Sequence, residues 1–265
     1  MNIHPLACVN PGAKLGKNVE IGPFAFVDDD VIIGDGCKIM SGAKVLNHVR
    51  IGRECTVFPG AVIGAIPQDL KFEGEESWVE IGERVTIREC ATVNRGTLAS
   101  GNGTTRIGDD TLIMSYAHIA HDCSIGSHCI IVSYAGLAGE TIVEDWGVIS
   151  GQCGAHQFSR VGTHAFVGAA SIILKDVPPY VLAGRNPIRF EGINRTGLLR
   201  RGFSEEDVNL IKDMYDVVYF KGMNFTQALD YIEANFPESE IRNNIVRFIR
   251  NSKRGIIPKP RPGKD

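Results

Sequence analysis

The sequence predicts a mainly β chain, a left-handed parallel β-helix of hexapeptide repeats followed by a small C-terminal α-helical domain. Three observations carry that expectation. Aliphatic residues recur every six positions, small residues recur two positions before them, and both columns end near residue 173, with helical patterns only in the part of the chain that follows.

Counting in sixes from Ile3 gives Val9, Leu15, Ile21, Val27, Ile33, Ile39, Val45, Ile51, Val57 and Ile63 without a failure. After one break the column resumes at Ile81, Ile87 and Val93, and after a second it runs from Ile107 to Ile173, with only Ala155 not a larger aliphatic. The preceding column holds small or slim residues such as Ala25, Cys37, Ala43, Cys55, Ala117, Cys123, Ala135 and Ser159. Residues two apart on a strand share a face, so each unit turns one large and one small side chain inward, and the rest of the hexad makes a corner. A helix needs a period near 3.6, and hairpins do not keep strict sixes. A hexapeptide period reads as a parallel β-helix. In the left-handed form three units close a triangular coil of about 18 residues, an exception to right-handed crossover.

Two loops interrupt the repeat, at about 66–78 and 95–105. The first preserves the phase of the sixes and the second shifts it by two. Insertions in solenoids project from one face, often the binding face. Beyond Ile173, Asp176-Val177-Pro178-Pro179 and Asn186-Pro187 break regular structure, so the expected solenoid spans 1–186 and the helical domain 187–265. In that domain Ser204 precedes Glu205-Glu206-Asp207 as a helix N-cap does. Amphipathic segments follow near Thr226 to Phe236 and Glu238 to Ile249, and the Pro- and Lys-rich end from Pro258 onward is expected to be disordered.

Composition narrows the function classes. A net charge of -3 over 265 residues argues against nucleic acid as a partner. The Met-Asn-Ile-His-Pro start lacks a signal-peptide pattern and no run suits membrane insertion, so a cytoplasmic protein is expected. Charge is nevertheless uneven: from Arg185 onward there are 15 Lys and Arg against 11 Asp and Glu, and before it 13 against 20. The basic last third is either a solvated helical surface or a patch for phosphates or an acidic partner. Of seven cysteines, Cys37, Cys55, Cys123, Cys129 and Cys153 lie in the small inward column, which reads as packing rather than metal or redox chemistry.

Residues 18 apart stack about 4.8 Å apart, so His121, Gly139 and Gln157 are expected at one corner, one above another. Imidazole titrates near neutral pH and suits a general base for a hydroxyl. A glycine lets substrate approach its backbone N–H, a donor for the oxyanion of a thioester under attack. Asp122 can orient the ring, His118 shares the neighbouring strand, and His156 lies in the adjacent outward column. Asp69 and Lys71 in the first loop serve either the site or that loop's own solvation.

The segments Ile66-Pro67-Gln68-Asp69-Leu70-Lys71-Phe72, Ala117-His118-Ile119-Ala120-His121-Asp122-Cys123, Leu137-Ala138-Gly139, His156-Gln157-Phe158, Asp176-Val177-Pro178-Pro179-Tyr180 and Leu199-Arg200-Arg201-Gly202-Phe203 closely resemble the bacterial UDP-N-acetylglucosamine O-acyltransferases, nearly end to end. The resemblance implies a homotrimer with sites between subunits. Its donor is an (R)-3-hydroxyacyl group on acyl carrier protein, its acceptor the 3-hydroxyl of UDP-N-acetylglucosamine, and its product the start of lipid A. It implies His121 as base, Asp122 as its support and Gly139 as oxyanion donor. It implies substrate contacts from His118, His156, Gln157, Asp69, Lys71 and Asn194, and from Arg200 and Arg201, whose planar forks suit phosphate. Ala169 sits where the family limits acyl length, and no cofactor and no metal are implied. Glu140 stands where a histidine is familiar and Thr196 where a glutamate is. Competing readings are a related acyltransferase with another acceptor, a zinc enzyme resembling the trimeric β-helix carbonic anhydrases with His118, His121 and another histidine as ligands, and a non-catalytic solenoid.

Overall fold

The computed structural model describes residues 2–100 and 102–259. Among the described residues short strands, parallel except for the last of the largest sheet, stack into three sheets of 11, 9 and 8 strands, the faces of a left-handed triangular solenoid. The first strands of the faces are Asn2–Ile3, Cys8–Val9 and Lys14–Leu15, which define a first, second and third face in chain order. Register follows coil length: Phe26 pairs with Cys8 and Lys44, 18 residues to either side.

Both inward columns are buried from Val19 to Ile173, each large aliphatic contributing about 1.5–3 kcal/mol. Ala7, Val9, Ala13 and Leu15, in the first coil, are only partly covered. The five inward cysteines are buried and Cys8 and Cys90 exposed; burial pushes the Cys123 and Cys129 thiols up to about 12, so both stay protonated and inert at neutral pH.

From Asn18 onward most corners close through a left-handed residue, and most of these are not glycine: Asp122 (φ 57°), Glu140 (57°) and Phe158 (65°) form one such series. That conformation costs on the order of 1 kcal/mol apiece and is held by ladder bonds. The second corner residue donates to the carbonyl of the first in the coil before, as Glu140 N does to His121 O at 3.0 Å and Phe158 N to Gly139 O at 3.1 Å.

The solenoid outlasts its sequence repeat. Val177 bridges to Val161, and strand Val181–Gly184 stacks in parallel on Phe166–Val167. The backbone ladder carries this last turn without the hexad pattern. Strand Arg189–Ile193 then returns antiparallel, so a hairpin straddles the expected boundary at 186.

Four helices follow among the described residues: α1 (Arg195–Arg200), α2 (Glu205–Phe220), α3 (Phe225–Asn235) and α4 (Glu240–Arg250). Ser204 caps α2 in a capping box with Asp207, as its sequence indicates. The expectation of disorder from Pro258 fails at the start of that segment: Pro258 O accepts Phe190 N at 3.0 Å, and Lys259 O accepts an Arg189 guanidinium N–H at 3.0 Å. Residues 260–265 lie outside the described residues. The buried Asp176 carboxylate accepts Arg160 N at 3.0 Å and Ser252 Oγ at 2.6 Å, and so ties the C-terminal segment to the open end of the solenoid.

Candidate active site

Both insertions leave the solenoid at the same corner, between the second and third faces. Residues 66–77 join strands Val62–Ala65 and Trp78–Ile81, and residues 95–103 join Thr92–Asn94 and Thr104–Ile107. The next three coils present His121-Asp122, Gly139-Glu140 and Gln157-Phe158 at that corner. A cleft of about 720 Å³ lies there, walled by the Gln68 to Lys71 loop, His118, His121, Gly139 and Gln157 and floored by Ala120, Gly136, Ala138 and Ala155. The floor is made of small residues, so the second face is a trough.

His121 is only 7% exposed and Asp122 2%. Imidazole Nδ1 lies 2.9 Å from Asp122 Oδ2, and Nε2 lies 3.6 Å from Asp69 Oδ2. A carboxylate at Nδ1 assigns the proton to that nitrogen and leaves the Nε2 lone pair directed at the cleft. The Asp122 backbone is itself held, its N–H donating to Thr105 Oγ1 at 2.8 Å. Across the corner, a Cβ built on Gly139 would stand 2.3 Å from His121 Nε2. Only glycine fits beside that ring. The corner ladder uses the N–H of Glu140, not that of Gly139, whose N–H has no protein acceptor among the described residues. A base and an uncommitted amide donor therefore stand side by side, a pair able to take a proton from a hydroxyl and receive a developing oxyanion.

His118 Nδ1 lies 2.7 Å from Thr92 Oγ1, and burial holds its pKa below the ordinary histidine value, so it is neutral at pH 7. Lys71 N donates to Asp69 Oδ1 at 3.0 Å, which bends the first loop so that Asp69 and Lys71 both face the cleft. His156 is exposed and turned toward Gln157 O at 3.0 Å; it stands outside the cleft wall. Among the described residues no three His, Cys, Asp or Glu side chains converge as a metal-ligand set.

The remaining candidates sit at other corners of the triangle. Asn194 caps α1 by accepting Gly197 N at 3.2 Å and donates to His164 O at 2.9 Å, between the third and first faces. Arg201 lies over the Trp146 ring at 5.1 Å with Nη1 3.2 Å from His164 Nδ1. Burial, and then the Arg201 charge, push His164 down to about 4, which keeps it an acceptor. Trp146 and His164 belong to a stacked column with His128 and Tyr180, legible in sequence at spacings of 18 for its first three members. Arg200 is exposed at the end of α1, and Ala169 is exposed between the first and second faces. One chain thus brings together His121, Asp122, Gly139, His118, Gln157, Asp69 and Lys71, and keeps Asn194, Arg200, Arg201 and Ala169 apart from them.

Sequence reading passed over Thr92, Glu75, Gly96, Thr97 and Thr105. For Thr92 a signal existed: allowing for the phase shift of the second loop puts it directly beside His118 in the ladder.

Comparisons with known proteins agree with this geometry. Residues 30–65 and 104–139 match the bacterial transferase hexapeptide model, and residues 176–257 match domain 2 of UDP N-acetylglucosamine O-acyltransferase. The chain is 41% identical over 256 residues to the acyl-(acyl-carrier-protein)–UDP-N-acetylglucosamine O-acyltransferase of Xylella fastidiosa, covering 96% of this chain and 97% of that one. The protein of the same name from a Janthinobacterium is 42% identical over 259 residues, covering 96% and 98%. The crystal structure of a UDP-N-acetylglucosamine acyltransferase from Bacteroides fragilis superposes with a TM-score of 0.94 at 50% identity, over 96% of this chain and 99% of that one. The Francisella novicida enzyme of that name gives 0.93 at 39% identity, over 97% and 94%. With matches of this identity along almost its whole length, the chain belongs to the UDP-N-acetylglucosamine O-acyltransferase family.

Proposed function

We propose that the chain transfers an (R)-3-hydroxyacyl group from acyl carrier protein to the 3-hydroxyl of UDP-N-acetylglucosamine, the opening step of lipid A synthesis. The observation that carries this reading is the closeness of His121 Nε2 to Gly139, 2.3 Å from where a Cβ would stand, beside a Gly139 N–H with no protein acceptor among the described residues. In this reading Nε2 takes the sugar hydroxyl proton as the oxygen attacks the thioester carbonyl, and Gly139 N–H receives the oxyanion. Collapse forms the ester and breaks the C–S bond, and the imidazolium returns the proton to the departing phosphopantetheine thiolate. Asp122 holds the ring and balances the imidazolium, with Asp69 3.6 Å from the second ring nitrogen.

We assign the nucleotide-sugar to Asp69 and Lys71 and further substrate contacts to His118 and Gln157 in the cleft, with His156 meeting substrate beyond the cleft wall. Asn194, Arg200 and Arg201 reach the same substrates from a neighbouring copy in a homotrimer, and Ala169 bears on acyl length. Two features support the assembly: the candidates occupy different corners of one triangle, and Leu70, at the tip of the first loop, is fully exposed at the cleft. We place the division between the solenoid and the helical part near residue 186, with the hairpin of Val181–Gly184 and Arg189–Ile193 spanning the join. Among the described residues all seven cysteines are free and no helix is long and apolar enough to cross a membrane, in keeping with a cytoplasmic setting.

The direct test incubates the purified chain with UDP-N-acetylglucosamine and hydroxyacyl carrier proteins of several lengths and follows the product by mass spectrometry. The expected result is a 3-O-hydroxyacyl sugar nucleotide with release of the carrier thiol; acylation of a different acceptor under the same conditions overturns the assignment. Removing the Arg201 side chain as Arg201→Ala is expected to raise KM for the nucleotide-sugar or the carrier roughly 10- to 100-fold, the loss of one charge-assisted hydrogen bond. Unchanged KM values for both substrates remove Arg201 from binding.

A further inference from the structure

We propose that Glu75 and Thr97, on the two projecting loops, are positioning residues for acyl transfer: together they hold the Asp122 carboxylate in register with the His121 imidazole. The inference rests on the acyltransferase reading above. Thr97 N–H donates to Asp122 Oδ2 at 3.0 Å, and that same oxygen meets His121 Nδ1 at 2.9 Å. One carboxylate oxygen thus carries both a loop amide and the ring.

The amide is itself anchored. Thr97 is fully buried, and its hydroxyl donates to Glu75 Oε1 at 2.5 Å. Leu98 N donates to the same Glu75 oxygen at 3.0 Å, and Glu73 N to Oε2 at 2.8 Å. Glu75 therefore clasps the second loop from the first. These donors, Thr97 first, pull its pKa down to about 2, so the clasp stays ionised through the working pH range. The neighbouring Gly96 lets the second loop lie close: a Cβ there would stand 2.6 Å from Asp122 Oδ1. Such closeness gives a reason for both insertions to leave the solenoid at one corner. The first walls the cleft, and joined to the second it fixes the group behind the base.

A base misaligned by about 1 Å loses up to roughly 100-fold in rate, so the link belongs to kcat more than to KM. We expect Thr97→Val, which keeps shape and loses the hydroxyl, to lower kcat roughly 10- to 100-fold with KM within about threefold. Thr97→Ser should restore most of the rate. Glu75→Ala, a change at a half-buried loop position, should reproduce the Thr97→Val defect, and the double variant should be no worse than either single one. In an Asp122→Ala background Thr97→Val should cost nothing further. An equal cost in that background, or full kcat in both single variants, overturns the proposal, as does a defect confined to thermal stability.

A second measurement is independent of turnover. The downfield proton resonance of the His121 ring, identified by its absence in His121→Gln, should shift or broaden in Thr97→Val and return in Thr97→Ser. If the wild type transfers no acyl group yet the resonance responds in this way, the activity reading falls and the positioning contact stands. A resonance indifferent to Thr97→Val sinks the contact itself.

Discussion

Replacing His121 with alanine is expected to lower kcat for transfer to UDP-N-acetylglucosamine by two to four orders of magnitude, about the contribution of a positioned general base. The geometry says why the loss should fall on turnover rather than binding. The ring is 7% exposed, its Nδ1 is committed to Asp122 at 2.9 Å, and only Nε2 faces the cleft. Among the described residues no second histidine is placed to replace it. His118 is turned by Nδ1 toward Thr92 at 2.7 Å, and His156 stands outside the cleft wall. The fold should survive, since the corner is carried by backbone ladder bonds such as Glu140 N to His121 O, which an alanine retains. Steady-state kinetics with a saturating hydroxyacyl donor, alongside a thermal melt, checks both halves. A kcat within a few-fold of wild type with intact folding removes His121 from the base role.

What could be read in advance divides along a physical line. Ile21, Ile63, Ile125 and Val167 reveal the solenoid because inward positions repeat at the period of the backbone itself, so the pattern and the structure are one fact. The His121, Gly139 and Gln157 column was legible for the same reason: register equals coil length. The capping box at Ser204 was legible because it is local. Periodicity is silent where contacts join segments that have none. Thr97 reaching Asp122, and Glu75 reaching Thr97, depend on how two irregular loops lie against each other. The last solenoid turn at Val181–Gly184 uses backbone pairing after the hexad has gone. Helix α1, six residues long with Gly197 inside it, is too short to show a stripe. Asn194 and Arg201, which the family resemblance assigns to a site between subunits, lie at another corner from His121 within one chain, where the path after Ile173 is set by the hairpin and no longer by the repeat.

Gly139→Ala should be nearly as damaging as loss of the histidine itself, with kcat reduced about 100- to 1,000-fold, the range seen when an oxyanion donor is lost. The cause is steric before it is electronic. The added methyl would stand 2.3 Å from His121 Nε2 and 2.4 Å from Cε1, inside any tolerable contact, and the ring can retreat only by giving up Asp122. A methyl there also narrows the approach to the N–H proposed to receive the oxyanion, so one carbon is expected to act on both halves of the site. Gly139 is not in the left-handed region, so alanine adds no backbone strain and the variant should fold. Gly136→Ala supplies the contrast, because a Cβ at that position meets nothing within 4 Å; lying on the cleft floor, it should act on KM and spare kcat. A crystal structure of Gly139→Ala should show the imidazole displaced from Asp122. An unmoved ring with a near-normal kcat would mean that the amide and the imidazole do not form a catalytic pair.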